Sequence, residues 1–171
     1  MKTMPTVKFD ASRLTAEVLA DVESAVRGLP EVTRDNFDGV YDLTVRACAR
    51  GGDMSLLSRG LMEMDLPGMS WQRASQVSME LWFRAKDLLD RKRQAELGIT
   101  RAHWRYANAP CMIDPRNPSA ADLRRDAAHK AADGKAYVIA DGRLIDGKRC
   151  WPGRESGCKC SGSSIFPSAS K

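Results

Sequence analysis

The feature that most constrains the fold is a long amphipathic segment, which begins at Ser70 and continues for about 28 residues to Gly98. Apolar and small residues recur along it at spacings of three and four, the period of one face of an α-helix. These residues are Trp71, Ala74, Val77, Ser78, Leu81, Trp82, Ala85, Leu88 and Leu89. At about 1.5 Å of rise per residue the helix would span roughly 40 Å, more than a small domain needs. The pattern therefore predicts the spine of an elongated helical bundle.

Three shorter helices are predicted before this spine. Ser12, Thr33 and Asp53 are residue types that cap helix N-termini, and each precedes a run with helical apolar spacing. The first two runs end at glycines, which are common just after a helix. We expect these helices and the spine to form one mainly helical domain over residues 10–100.

The composition changes after residue 100, where prolines cluster. Ser119, followed three residues later by Asp122, predicts a capped short helix over residues 120–132. Further along, the Asp-Gly pairs at 141–142 and 146–147 are typical of the two-residue turns of β-hairpins. These signals predict a second, smaller structural unit that contains both a helix and strands.

The second unit is expected over residues 101–160, as a small α+β subdomain with a helix, a short antiparallel sheet and a cysteine-rich loop. The Ser-, Gly- and Pro-rich residues 161–171 predict a flexible tail. The fold class of the whole chain is therefore expected to be α+β, with a mainly helical N-terminal part.

The hydropathy of the chain predicts neither a membrane span nor a secretory signal, and a protein that stays in the reducing cytosol is therefore expected. No apolar run approaches the roughly 20 residues that span a bilayer, and the N-terminal residues lack the apolar core of a secretory signal. We therefore expect no membrane association. The five cysteines are then expected to be free thiols or metal ligands rather than disulfides, and their odd number agrees with this.

The net charge of +5 is concentrated in the C-terminal part. Residues 1–100 hold 14 Lys and Arg against 15 Asp and Glu, whereas residues 101–171 hold 13 against 7. A basic surface of this kind suits nucleic acid or an acidic protein, but ordinary solvated surfaces are often basic too. The candidate DNA or partner contacts are Arg124, Arg125, Lys130, Lys135, Arg149, Arg154 and Lys159.

Cysteine and histidine side chains in the C-terminal part are candidates for a zinc site, because zinc takes three or four ligands from Cys, His and acidic residues. The candidate ligands are Cys111, His129, Cys150, Cys158 and Cys160. One structural Zn²⁺ would stabilise a subdomain that has few large apolar residues. The alternatives are packed thiols with His129 bonded to a carbonyl group, or a disulfide formed after cell lysis. Cys48 lies on a helix face and is expected in the core.

A series of short motifs follows the spine helix in a recognisable order. In sequence they are the segment 96–99 (ELGI), Trp104, Pro110-Cys111, Arg125 with His129, Asp133-Gly134-Lys135, Tyr137, Pro152-Gly153 and Cys158-Lys159-Cys160. Their order and spacing resemble the phage Mu F-like minor head protein family, whose members share a head-morphogenesis domain. The resemblance covers roughly residues 40–160. In place of the family's usual His-Pro before the final Cys-x-Cys, this chain has Ser156-Gly157.

The resemblance implies a virion component of a tailed double-stranded DNA phage or prophage, present in several copies per virion. Such a protein is incorporated during head assembly in the bacterial host cytoplasm, often near the portal or the head–tail connector. Its expected partners are the portal protein, the major capsid protein, and packaged double-stranded DNA bound without sequence preference.

The sequence contains few residues suited to catalysis. His103 and His129 are its only histidines, and G-x-S-x-G, Walker and H-E-x-x-H motifs are absent. Asp122 and Asp126 are four residues apart on the predicted helix, a spacing typical of a salt-bridged helix face. We therefore expect a binding protein rather than an enzyme. Two alternatives stay open: a small metal-dependent DNA-processing nuclease or toxin-like enzyme, and a zinc-stabilised nucleic-acid-binding module.

Overall fold

The computed structural model describes residues 11–166. Within them the chain forms five α-helices and five β-strands, which belong to two compact units. One unit extends to Ala85 and is helical, and the other begins at Lys86 and contains all five strands. The expected α+β class is confirmed. The boundary between the units lies inside the long helix rather than at residue 100, where the composition changes.

Four helices contribute to the first unit: α1 (Ala16–Arg27), α2 (Phe37–Ala49), α3 (Met54–Glu63) and the first part of α4 (Trp71–Glu96). The predicted spine is thus one continuous helix of 26 residues. The apolar spacing places Leu81 in the core with 1% of its surface exposed, and Cys48 is equally buried.

Of the three caps predicted for the helices before α4, one is right and two are wrong. The Asp53 side chain accepts a hydrogen bond from the Leu56 backbone N–H at 2.9 Å and caps α3 as expected. In contrast, α1 begins after Thr15, and α2 begins after Asn36. Thr33 does not cap α2, because its backbone N–H donates to the Asn36 side chain in a turn before the helix.

Two side-chain ion pairs connect α4 to the earlier part of the helical unit. The Arg73 guanidinium donates two hydrogen bonds to the Glu31 carboxylate, and Arg84 does the same to Asp21. The Arg73 contact holds the pKa of Glu31 below its ordinary value. Bidentate contacts of this kind fix both the distance and the orientation of the paired groups.

The second unit contains the end of α4, one further helix and two small antiparallel sheets. Its elements are β1 (Arg101–Arg105), α5 (Ala120–Ala131), β2 (Ala136–Val138), β3 (Arg143–Ile145), β4 (Lys148–Cys150) and β5 (Ser161–Ile165). The first sheet has the order β2-β1-β5, and β3 pairs with β4 in the second. The predicted capping box of α5 is present, with Ser119 and Asp122 bonded to each other's backbone N–H groups.

The predicted hairpin turns have different outcomes. Asp146 and Gly147 both have positive φ, 47° and 76°, and join β3 to β4 as a tight turn. The pair Asp141-Gly142 does not join two paired strands, because β2 takes β1 as its partner. An isolated bridge between Val138 and Gly142 closes this turn instead.

The flexible tail predicted over residues 161–171 is wrong for its first part. Residues Ser161–Ile165 form β5, which pairs along the whole length of β1. The Ser164 hydroxyl also accepts a hydrogen bond from Gln94 at 2.9 Å. The composition of this segment favours a flexible chain, but pairing with all five residues of β1 stabilises it as a strand. After β5 the exposed Phe166 is the last described residue, and residues 167–171 of the predicted tail lie outside the described part of the chain.

None of the helices that the structure describes combines the length and apolar character needed to cross a membrane.

Candidate metal centre

Four potential metal ligands come together in the interior of the second unit. They are Cys111 after β1, His129 on α5, and Cys158 and Cys160 before β5. Their ligand atoms all lie within 4.8 Å of one another, and all four residues are buried. The expected meeting of His129 with thiols from the Cys111 loop and from the loop before β5 is confirmed, so the cluster joins three chain segments.

The distances within this cluster match those of a tetrahedral site. Cys111 Sγ lies 3.4 Å from Cys160 Sγ and 3.9 Å from Cys158 Sγ. His129 Nδ1 lies 3.4 Å from Cys158 Sγ and 3.8 Å from Cys160 Sγ. A zinc ion with ordinary bond lengths places tetrahedral ligands about 3.8 Å apart for two sulfurs and about 3.6 Å apart for sulfur and nitrogen. The cluster can therefore hold a structural metal such as zinc.

The same distances do not describe a disulfide. Bonded sulfur atoms are about 2.05 Å apart, and the five cysteines are free thiols in this structure. A set of three thiols and one imidazole also leaves no ligand position for water or substrate, which is typical of structural rather than catalytic zinc sites.

Helix α5 positions two of the four ligands. It carries His129 directly, and one turn earlier its side chains hold the Cys111 loop. The Asp126 carboxylate accepts hydrogen bonds from the Cys111 backbone N–H at 2.7 Å and from the Tyr106 hydroxyl at 2.8 Å. Arg125 donates to the Cys111 carbonyl oxygen at 3.1 Å and to Asp122 at 2.6 Å. The capped helix thus sets the distance between His129 and Cys111.

The loop from Trp151 to Cys158 brings the other two ligands to the same point. A close approach at Gly157 makes this possible, since a Cβ atom there would lie 2.6 Å from the Met112 backbone. Gly157 also has a φ of +75°, which side-chain-bearing residues rarely adopt. The Gly153 backbone N–H donates to Cys158 Sγ at 3.3 Å, which helps to hold this side chain in place.

Glu155 lies on the outer side of the histidine. Its Oε2 is 3.3 Å from His129 Nε2, within ion-pair distance but poorly aligned for a hydrogen bond. A carboxylate on the far nitrogen of a ligating histidine is a common arrangement, because it fixes the tautomer and orients the ring. Here it leaves Nδ1 directed at the sulfurs.

The pKa shifts within the cluster differ in direction from one residue to the next. Burial lowers the pKa of His129, but its contacts with Cys111, Cys158 and Glu155 outweigh burial and raise this pKa to about 11. Hydrogen bonds with Cys158 and Cys160 hold the pKa of Cys111 far below its ordinary value. Hydrogen bonds with Cys111 and Cys158 raise the pKa of Cys160 far above its ordinary value.

Cys150, the fifth candidate ligand, is not one of the four. It groups instead with His129 and Glu155, and its thiol lies 3.6 Å from Glu155 Oε1. Burial, together with that carboxylate, raises the pKa of Cys150 to about 11, which favours the neutral thiol. Its position at the end of β4 makes it part of the core around the centre.

Two aromatic side chains, Trp104 and Tyr137, pack around the histidine of the centre. Trp104 is completely buried and meets the His129 ring edge-on, with ring centroids 5.1 Å apart. Tyr137 packs against Trp104 in the same way at 6.2 Å. Both aromatic rings are therefore core residues, as expected.

The seven candidate contact residues fall into two groups. Five are exposed: Arg124, Lys130, Lys135, Arg149 and Lys159. Arg125 and Arg154 are instead used within the protein. Arg125 holds the Cys111 loop, and Arg154 lies 3.4 Å from the buried Asp87 carboxylate and over the Trp151 ring. The guanidinium groups of these two residues are engaged in local contacts, and their role as DNA or partner contacts stays a prediction.

Three residues that support the centre were not identified from the sequence. Glu155 and Gly157 precede Cys158 in a loop whose course the sequence does not specify. For Asp126 the sequence predicts only a salt-bridge partner on its helix. Its position three residues before His129, on the same face of α5, is the signal from which its role could have been inferred.

Comparison of the chain with family models, with curated proteins and with solved structures finds no match in any of the three. The candidate function therefore depends on the geometry of this site and on the order of the residues that form it.

Proposed function

We propose that this chain is a minor head protein of a tailed double-stranded DNA phage or prophage, and that its second unit is a zinc-stabilised binding module. The observation that carries the proposal is the buried set of Cys111, His129, Cys158 and Cys160. These four residues also belong to the motifs on which the resemblance to the phage Mu F-like family depends.

The other residues of those motifs support the proposal by their positions. Arg125 holds the Cys111 loop, and Trp104 and Tyr137 pack around His129. Asp133 accepts a hydrogen bond from the Tyr106 backbone N–H, and Gly134 takes a φ of +71° at the end of α5. A chance match of short motifs would have no reason to converge on one centre.

Zinc is the metal that suits this ligand set best. Three thiolates and one imidazole in tetrahedral arrangement form a Cys₃His site, which zinc occupies in many small structural domains. In such modules the free energy of metal binding is free energy of folding. Zinc would then compensate for the small apolar core of the second unit.

The mode of action that fits this centre is binding rather than catalysis, because all four tetrahedral positions come from the protein. Exposed basic residues of the second unit, among them Arg124, Lys130 and Lys159, would face the portal, the capsid or packaged DNA. The protein would assemble in the host cytoplasm and remain in the virion.

A second candidate is a zinc-stabilised nucleic-acid-binding module without a role in phage heads, since the same centre and the same basic surface would serve it. The metal-dependent nuclease is less well supported, because a catalytic zinc keeps an open ligand position.

Induction of the bacterium that carries the gene, followed by purification of particles, tests the proposal. We expect mass spectrometry to detect the wild-type chain in DNA-filled heads and to find the Cys158→Ser variant strongly depleted. The Cys48→Ser variant is the matched control, because Cys48 is an equally buried thiol outside the centre. Particles that form and fill without the chain would contradict the phage assignment and favour the second candidate.

A further inference from the structure

The three-stranded sheet has one face that the core does not cover. Ala102 and Trp104 of β1 are buried, so the alternating residues Arg101, His103 and Arg105 point to the opposite, outer face. Directly paired residues of neighbouring strands lie on the same face. The outer face therefore also includes Ala136 and Val138 of β2 and Ser161, Ser163 and Ile165 of β5.

The charges on this outer face are all of one kind. Its central strand presents two arginines and one histidine, and the eight residues include no acidic side chain. Arg101 and Arg105 are exposed and form no ion pair with another residue in the described part of the chain. His103 donates from Nδ1 to the Gly134 carbonyl oxygen at 2.9 Å, which leaves Nε2 free to face outward.

We propose that this outer sheet face binds the phosphate backbone of double-stranded DNA. The inference deepens the proposed function, on which it rests, by naming the partner and the surface. Guanidinium groups and serine hydroxyls are among the groups that contact phosphate most often in proteins. Ser161 is paired with Arg105, and Ser163 is paired with His103. Hydrogen-bond donors therefore lie side by side on β1 and β5.

The spacing of the arginines suits separate phosphates. Arg101 and Arg105 are four residues apart on one strand, so their Cα atoms are about 13 Å apart. Phosphates of one DNA strand follow one another at about 3.4 Å along the helix axis, so two guanidinium groups at this distance reach different phosphates. Each contact would release its own counterion.

The face is less suited to a protein partner. Protein interfaces have an apolar centre in which aromatic residues contribute most of the binding energy, with charges at the rim. Here the arrangement is the opposite, because the arginines occupy the central strand and the apolar Val138 and Ile165 flank Arg101 on the two outer strands. The face lacks Asn and Gln among its eight residues, and we assign its two arginines to phosphates rather than to base edges, so we expect binding to be independent of DNA sequence.

Fluorescence anisotropy of the full-length protein with two labelled duplexes of unrelated sequence tests this inference. We expect the Arg101→Glu/Arg105→Glu variant to bind both duplexes at least about tenfold more weakly than wild type. The slope of log affinity against log salt should fall by about two. The Arg101→Lys/Arg105→Lys variant should retain most of the affinity, because phosphate contacts depend on the positive charge.

The matched control is Arg46→Glu/Arg59→Glu, which changes the net charge equally at exposed arginines of α2 and α3. This control should bind DNA within about threefold of wild type. An equal loss in the control would show that binding follows net charge, and would overturn the assignment to the sheet. Failure of the wild-type protein to bind either duplex at low salt would overturn it as well.

Competition with poly-glutamate identifies the class of partner. Duplex DNA should bind far more tightly than the acidic polypeptide, and equal competition would overturn the inference in favour of an acidic protein. Metal content and incorporation into particles are separate measurements on the same variant. Both should be unchanged by the two arginine substitutions, so a failure of the DNA inference is distinguishable from a failure of the proposed function.

Discussion

The two units of this chain are stabilised by different means. The helical unit buries aliphatic side chains that are at most 1% exposed, among them Val18, Val22, Val26, Val40, Leu57, Leu61, Val77 and Leu81. In the second unit, the buried cluster that surrounds the metal centre comprises eleven residues, of which four are cysteines. A thiol contributes little apolar surface compared with leucine. The first unit can therefore depend on apolar burial, whereas the second needs a further source of stability at its centre.

Loss of one metal ligand should have the largest effect and should be confined to the second unit. In Cys158→Ser we expect loss of metal and unfolding of residues 101–166, because the centre holds three chain segments together. Amide hydrogen exchange should show fast exchange there and protection retained in α1, α2 and α3.

Cys48→Ser and Cys150→Ser are the controls for this experiment, since both thiols are buried but lie outside the four ligands. Both should keep the metal. Equally fast amide exchange in both units of Cys158→Ser would mean that the two units unfold together. That result would contradict the claim that they are stabilised by different means.

A cavity in the helical core should have the next largest effect, in the other unit. Leu81→Ala should lower the free energy of unfolding by about 2–5 kcal/mol, because it removes a fully buried side chain. Chemical denaturation followed by far-UV circular dichroism measures this. Met79→Ala is the control on the same helix, since its side chain is 37% exposed. A similar cost for both variants would show that Leu81 does not occupy the core.

Replacement of the carboxylate behind His129 should weaken the centre without abolishing it. In Glu155→Gln we expect metal affinity to fall about 10–100-fold, because the histidine ring loses the group that orients it. Competition with a chromogenic chelator at neutral pH measures the change. Glu96→Gln, at an exposed position at the end of α4, should leave the affinity unchanged. An unaltered metal affinity in Glu155→Gln would show that the Glu155 carboxylate does not orient His129 for metal binding.

The smallest effect is expected from the ion pair between Arg73 and Glu31. The Arg73 hydrogen bond lowers the pKa of Glu31, so the pair stabilises the protein above the unfolded-state pKa of about 4.3. This stabilisation, about 1–3 kcal/mol, is lost as pH falls through the lowered folded-state value. Wild type and Glu31→Gln should therefore differ in stability at neutral pH and converge in acid. A constant difference at all pH values would contradict the assigned shift.

Much of the helical unit could be predicted from the sequence, because helical periodicity and packing depend on local spacing. The stripe from Trp71 to Leu89 specifies α4, and the short-range pattern at Ser119 and Asp122 specifies the start of α5. Such signals reside in residues a few positions apart. The predicted caps Ser12 and Thr33 are wrong because several polar residues precede each helix. Which of them lies at the N-terminus depends on the turn before the helix.

The sheets and the metal centre are harder to predict from the sequence, because they depend on contacts between residues that are far apart in the chain. The alternation of β1 is visible in Ala102 and Trp104, but its partners β2 and β5 lie far along the chain. The four ligands could be identified as candidates by residue type. Choosing Cys160 over Cys150 required the course of the loop around Gly157, which only the folded chain determines.

Metal stoichiometry of the purified full-length protein tests the central claim most directly. Inductively coupled plasma mass spectrometry should find about one zinc per chain in wild type and in Cys150→Ser, and almost none in Cys158→Ser. Less than about 0.1 zinc per chain in wild type, from cells supplied with zinc, would contradict the account. The four buried residues would then be a packed thiol–imidazole core, and the second unit would depend on its side-chain contacts alone.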